Sequence, residues 1–306
     1  PGVIAALAAQ APARPRQFVF VDDGSSDRSV EIVRELTANW PNTEIVCQPN
    51  GGPASATNTG IARARLPYLK LVGSDDVLAP YATDLMIEIL ERTGAAAVFS
   101  RIGFYRDAAE IAFDEAGARA CAPVVPEDAL AEVIRFGVSG TTPTLFRTLV
   151  VQAVGGCDPD LFVEDVSLAL RVARVARIAR LEHVTCYGPA ADPTRIMVER
   201  RHQTGHDFGR ALVNLLRAHP ELDASHGRLA FRRAAGRAWH FARRHGGAGW
   251  LSRYAALYGL SRLGLSLDHA GLIEATLGAF ALGPDAKRLP LVRPRQSKPG
   301  SEPAQP

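Results

Sequence analysis

The sequence predicts an α/β protein built on a mainly parallel sheet with helices on both faces, followed by an α-helical C-terminal region. Short β-leaning apolar runs at residues 18–21, 44–47, 68–72 and 96–100 alternate with helical patterns at 29–39, 55–65 and 80–93. Strands that alternate with helices imply crossover units and a doubly covered sheet. Two of the strand runs end in acidic turn clusters, Asp22-Asp23-Gly24-Ser25-Ser26-Asp27 and Gly73-Ser74-Asp75-Asp76. In open α/β sheets ligands bind outside the carboxyl ends of the strands. Beyond about residue 189 the pattern is purely helical.

Taken in order, residues 1–10 read as a helix. After Arg101 the alternation breaks, so residues 102–112 are expected as a hairpin or edge segment before a helix at 126–136. The block 141–165 packs strand, helix, turn and motif closely, and a helix follows at 166–176. Ala/Leu/Arg periodicity then marks helices at 206–219, 227–245, 250–264 and 269–282, and no internal repeat is found. The expected organisation is one domain over residues 1–190, a helical region over 191–283 and a disordered tail over 284–306, where Pro, Arg, Lys, Ser and Gln lack apolar periodicity.

At 47% hydrophobic and 22% charged the chain is an ordinary globular protein. A net charge of +3 is too small to argue for nucleic acid, although the Arg excess after residue 170 suits an anionic membrane surface or an anionic glycan. Aromatic residues Trp239, Phe241, Trp250, Tyr254 and Tyr258 beside those arginines suit an interface, and a bundle packed on the main domain is the plainer expectation. Cys47, Cys121, Cys157 and Cys186 show no Cys-x-x-Cys spacing and read as reduced, mostly buried residues of a cytosolic protein. No run is long enough to span a bilayer, so the expected location is the cytoplasm, with the inner membrane face as the variant.

The acidic clusters read in two ways. Asp-Gly-Ser-Ser is ordinary turn and N-cap chemistry, and Asp75-Asp76 can cap the helix that follows. The same carboxylates at two strand ends can face one ligand. Between them runs Gln48-Pro49-Asn50-Gly51-Gly52-Pro53, a loop that lets backbone approach a ligand closely, leading to Asn58. Further on come Gly155-Gly156-Cys157-Asp158 and then Phe162-Val163-Glu164-Asp165, which opens a helix.

This ordered series resembles the family 2 glycosyltransferases of the GT-A fold over roughly residues 1–190. The resemblance implies inverting transfer of a sugar from a nucleotide-diphosphate-sugar, with UDP as the expected carrier, to a hydroxyl acceptor on a glycan or lipid-linked sugar. It implies that Asp76 and Asp75 hold Mg²⁺ or Mn²⁺ on the diphosphate, and that Asp22 and Asp23 contact the base and ribose. Asp165 takes the role of general base, with Glu164 beside it for the acceptor. Asn58 is a weaker candidate that orients the loop, and Lys70 reads equally as a solvated edge residue or a phosphate contact. Arg171 is either an ion-pair partner or a phosphate contact, while Arg200-Arg201-His202-Gln203 and His206-Asp207 lie where relatives place a loop closing over the diphosphate. Three departures from the family pattern stand out: the apolar first strand with which its members begin is not read ahead of the helix at 1–10, which leads one to expect unpaired ladder groups in the sheet; Gly73 replaces the first aspartate of the family's Asp-x-Asp-Asp; and the Gln-x-x-Arg-Trp motif of processive synthases is absent. The alternatives from other classes are an inactive module that binds a nucleotide-sugar or glycan, and a nucleotidyltransferase.

Overall fold

The structure, a computed structural model, describes residues 2–10, 14–190, 201–265 and 267–282. Arg200 and the tail expected from residue 284 lie outside the described residues.

A first helix, α1 (Gly2–Ala8), precedes strand β1 (Phe18–Asp22). Helix α2 (Ser29–Thr37) returns the chain to β2 (Thr43–Cys47), which pairs parallel with β1 from Phe18 opposite Thr43 to Asp22 opposite Cys47. This crossover is what the alternating pattern predicts. Helix α3 (Pro53–Arg63) leads into the second sheet, whose strands are β3 (Tyr68–Lys70), β4 (Val77–Leu78), β5 (Ala97–Tyr105), β6 (Thr144–Arg147) and β7 (Ile178–Pro189). Their spatial order is β3-β6-β5-β7-β4, and among the described residues this sheet and the β1-β2 pair are separate hydrogen-bonded units.

The pairing is mixed, and its two longest ladders, β1/β2 and β5/β7, are parallel. Strand β5 runs parallel with β7, while β3/β6, β5/β6 and β4/β7 are antiparallel. One crossover helix forces a parallel return, but the long excursion between β5 and β6 imposes no such direction. That excursion holds α5 (Glu115–Ala120) and α6 (Ala129–Phe136), after the α4 helix (Ala82–Thr93) has joined β4 to β5. Of the hairpin or edge segment expected at 102–112, residues 102–105 are instead the second half of β5, paired with β7 as far as Tyr105 opposite Pro189, and the chain then leaves the strand through a short 3-10 turn at Ala108–Glu110. A bulge near Arg101 lets the long strand turn there.

Alternate residues of the central strands feed two cores. Ala97, Phe99, Phe146 and Ile178 face a cluster that includes α6 and α8 (Glu164–Val175), whereas Val98, Leu145, Ala179 and Leu181 face one built on α4 and α1. Helices therefore cover both faces. The short helix α7 (Thr148–Ala153) links β6 to the glycine turn before α8.

The C-terminal region comprises α9 (Arg201–Ala218), α10 (Ala224–Gly246), α11 (Arg253–Leu260) and α12 (His269–Thr276). Val213 of α9, Phe231 and Ala235 of α10 and Ile273 of α12 join the same apolar cluster as Val133 of α6 and Leu168 of α8. These helices are thus packed on the sheet domain through a shared core. No described helix is long and apolar enough to cross a membrane.

Candidate active site

The site is built where strand ends meet helix starts. At the end of β1, Asp22 folds its carboxylate back onto the amides of Gly24 and Ser25, each at 3.2 Å. Asp23 points the other way and organises the glycine loop. Its Oδ1 accepts from Gln48 Nε2 at 2.8 Å and from the Gly51 amide at 2.9 Å, and its Oδ2 accepts from the Gly52 amide at 2.8 Å. Gln48 in turn accepts from Thr59 Oγ1 at 2.6 Å, so the loop is tied to α3. Three donors on one carboxylate fix the loop that starts this helix.

Asn58, further along α3, spends both amide atoms on one residue: Nδ2 donates to the Cys157 carbonyl at 2.9 Å and Oδ1 accepts from the Cys157 amide at 2.7 Å. The neighbouring Gly156 has φ +69°, and a Cβ there would overlap Asn58 Oδ1. Glycine at this position is therefore required twice over, by backbone conformation and by close approach. Arg171 of α8 donates from Nη1 toward the Val154 and Gly156 carbonyls at 3.4 and 3.3 Å, and it lies 4.0 Å from Asp158. Of the two readings open for Arg171, the structural one describes these contacts.

Asp75 is exposed, whereas Asp76 is buried. Thr142 connects Asp76 to the rest of the site: its hydroxyl donates to Asp76 Oδ2 and accepts the Gly73 amide at 2.7 Å. A Cβ on Gly73 would stand 2.8 Å from Asp76 Oδ2, so the missing first aspartate leaves the room into which Asp76 turns. Lys70 is neither a solvated edge residue nor turned to a ligand. Its ammonium lies inside, donating to the Thr142 and Thr144 carbonyls, and burial pushes it down to about 8 against the opposing charge of Asp76.

The adjacent residue Thr141 donates its hydroxyl to Glu164 Oε1 at 2.6 Å. Two consecutive threonines thus hold Asp76 on one side and Glu164 on the other, bringing together the acidic pairs that the sequence places some ninety positions apart. Burial raises Glu164. Burial, and then the adjacent Glu164 charge, push Asp165 up to about 7 against the Val166 amide, which donates to its Oδ1 at 2.8 Å. The loop before the pair is anchored by buried Asp207 of α9, whose Oδ2 accepts from the Phe162 amide at 2.9 Å. Asp207 Oδ1 engages His206 Nδ1 at 2.7 Å, and His202 Nδ1 contacts the Phe280 carbonyl at 3.0 Å. Both histidines are buried in helix α9 rather than carried on a loop.

Sequence reasoning missed Thr141 and Thr142, and it read Asp207 with His206 as part of a loop over the diphosphate rather than as the acceptor of the Phe162 amide. Cys157 and Cys186 are buried as expected, but Cys47 is exposed and Cys121 half-buried.

Among the described residues no group of three or more His, Cys, Asp or Glu side chains could hold a metal by itself. The donor set fits a different kind of site, in which one or two carboxylates share a hard cation with phosphate oxygens and water. Asp75 and Asp76 supply that number of oxygen ligands.

A mixed sheet covered on both faces, with carboxylate pairs at strand ends, is the architecture of GT-A glycosyltransferases. Residues 1–119 match the family model of glycosyl transferase family 2. A segment of 85 residues, 28% of the chain, is 38% identical to a chondroitin synthase of Pasteurella multocida, of which it covers only 9%. Among solved structures, S. aureus TarS 1-349 in complex with UDP-GlcNAc superposes with a TM-score of 0.62 at 15% identity, covering 91% of this chain and 84% of that one. The mannosyltransferase PcManGT of Pyrobaculum calidifontis, in complex with GDP-Man and Mn²⁺, gives a TM-score of 0.51 at 17% identity over 91% of this chain and 80% of that one.

Proposed function

We propose that this chain transfers a sugar from a nucleotide-diphosphate-sugar, with UDP as the carrier, to a hydroxyl of a glycan or lipid-linked acceptor, with inversion. The observation that carries this reading is the Thr141-Thr142 bridge, which sets the Asp75/Asp76 pair and the Glu164/Asp165 pair on either side of one loop. The nucleotide-sugars bound by TarS and PcManGT support the donor class. The glycan-polymerising name of the Pasteurella relative supports a sugar acceptor.

In this reading Asp22 and Asp23 border the nucleotide, with Asp23 shaping the Gly51-Gly52 loop and Asn58 holding the turn beneath it. Asp75 and Asp76 would hold the divalent cation, which when bound neutralises charge developing on the diphosphate. The acceptor oxygen attacks the anomeric carbon, the bond to the diphosphate oxygen breaks with its electron pair, and the acceptor proton passes to Asp165 Oδ2. Oδ1 is already engaged by the Val166 amide, which fixes the carboxylate plane. A base poised near neutrality suits this task. Glu164, held by Thr141, flanks the acceptor side. The test is UDP release from a panel of UDP-sugars with Mn²⁺, with and without sugar acceptors. Release that depends on Mn²⁺ and on Asp165 supports the reading; donor binding without any release would instead favour the inactive binding module.

A further inference from the structure

Helix α10 carries, beside its buried stripe, a second stripe made of Arg232, Arg233, Arg237, His240, Arg243 and Arg244. The spacing of three and four residues puts these on one helix face, extending about 18 Å from Arg232 to Arg244 at ~1.5 Å per residue. They line an open groove of about 1130 Å³, whose other margin includes Arg135 of α6 and Arg262 after α11. Among the described residues no carboxylate lines it, and no Asp or Glu forms an ion pair with any of these arginines. Other arginines of the helical region are paired, as Arg210 and Arg217 are with Glu274. Arg237 is half-buried, stacked 3.8 Å from the Phe208 ring centre, and burial with the neighbouring Arg233 charge pushes it down to about 10.

Concentrating like charge in a recess, with two of the cations partly desolvated, costs folding energy unless an anion offsets it. A recessed trough also matches a chain better than a flat lipid surface. The groove leads toward the chemistry, because Gly205, Arg233, Arg237 and Phe280 also line a smaller cavity that reaches Val166, the residue after Asp165.

We infer that this groove binds a linear acidic glycan, a polymer bearing carboxylate or phosphate groups, and guides its end toward α8 as the acceptor chain. The role as acceptor rests on the transferase reading above; the binding of the polyanion does not.

The experiment is titration calorimetry of the full chain with an oligogalacturonate of defined length, a neutral dextran oligomer of the same length, a duplex DNA oligonucleotide, and phosphatidylglycerol or phosphatidylcholine vesicles. The expected result is saturable binding of the acidic glycan that weakens with salt, no binding of dextran, and a loss of about tenfold in affinity for Arg232→Ala/Arg244→Ala, whose side chains are exposed and whose removal leaves the fold intact by melting. Unchanged affinity in that variant, binding equal to that of DNA, binding to phosphatidylglycerol vesicles alone, or no binding would each overturn the inference. Because binding is read without turnover, an inactive protein that still binds the glycan would count against the transferase reading and not against the groove.

Discussion

Asp165 sits where burial and a neighbouring carboxylate both oppose its charge, and that has consequences for stability as well as for chemistry. An unfolded aspartate titrates at about 3.9. The folded group, at about 7, holds its proton through the interval between. The native state then binds more protons than the unfolded one, so this residue's contribution to stability is full below about pH 4 and is lost as pH rises toward 7. Asp165→Asn removes the charge and should raise the melting temperature at pH 7.5 by about a few degrees. The same change should cut turnover on the order of a hundredfold while leaving UDP affinity intact. A variant that melts lower, or that turns over at the native rate, would contradict this account of the residue. In the native protein turnover should fall as pH drops below about 7, because the base becomes protonated; a flat profile from pH 5 to 8 would exclude Asp165 as the base.

Thr142 allows a sharper test at the same scale. Its hydroxyl joins Asp76 to the Gly73 amide, so Thr142→Val leaves a buried carboxylate and an amide without it, at a cost of about 1–3 kcal/mol. Mn²⁺-dependent UDP binding should weaken in Thr142→Val and recover in Thr142→Ser. Equal losses in both variants would point to methyl packing rather than to the hydroxyl.

Among the elements, α3 and the glycine turn show which parts of the site could be read from sequence. The Glu164-Asp165 helix start and the separate Asp22-Asp23 and Gly51-Gly52 turns were legible because turn and cap chemistry is local, whereas the bonds that join Asp23 to the glycine loop span 25, 28 and 29 positions. The contacts of Thr141, Thr142 and Asp207 span 23, 66 and 45 positions, and no local pattern marks them. Strand β7 was missed for a related reason. It is the longest strand, yet its register against β5 shifts near Arg101, so Glu182 and His183 interrupt the period-two pattern that would have revealed it. The mixed pairing was equally invisible, since strand direction after β5 depends on where a long excursion re-enters the sheet. Asn58 makes a prediction here. Asn58→Ala strands the Cys157 amide and carbonyl and should cost about 1–3 kcal/mol in chemical denaturation. An unchanged midpoint would show that the turn is held by Arg171 and Ser167 instead.

For the whole molecule, two acidic pairs, one within residues 1–119 that match the family model and one beyond them, are tied to a loop that neither motif contains. The helical region shares the main apolar core and supplies Asp207 to the loop before Glu164 and Asp165, so it anchors that loop as well as covering the sheet. The central claim is that Asp76 serves the donor through a shared cation while Asp165 does not bind the donor at all. Calorimetric titration of UDP, with and without Mn²⁺, into the native chain, Asp76→Asn and Asp165→Asn separates these roles most directly. The account predicts Mn²⁺-dependent binding that is lost in Asp76→Asn and kept in Asp165→Asn. Binding of UDP indifferent to Mn²⁺, or lost equally in both variants, would contradict it.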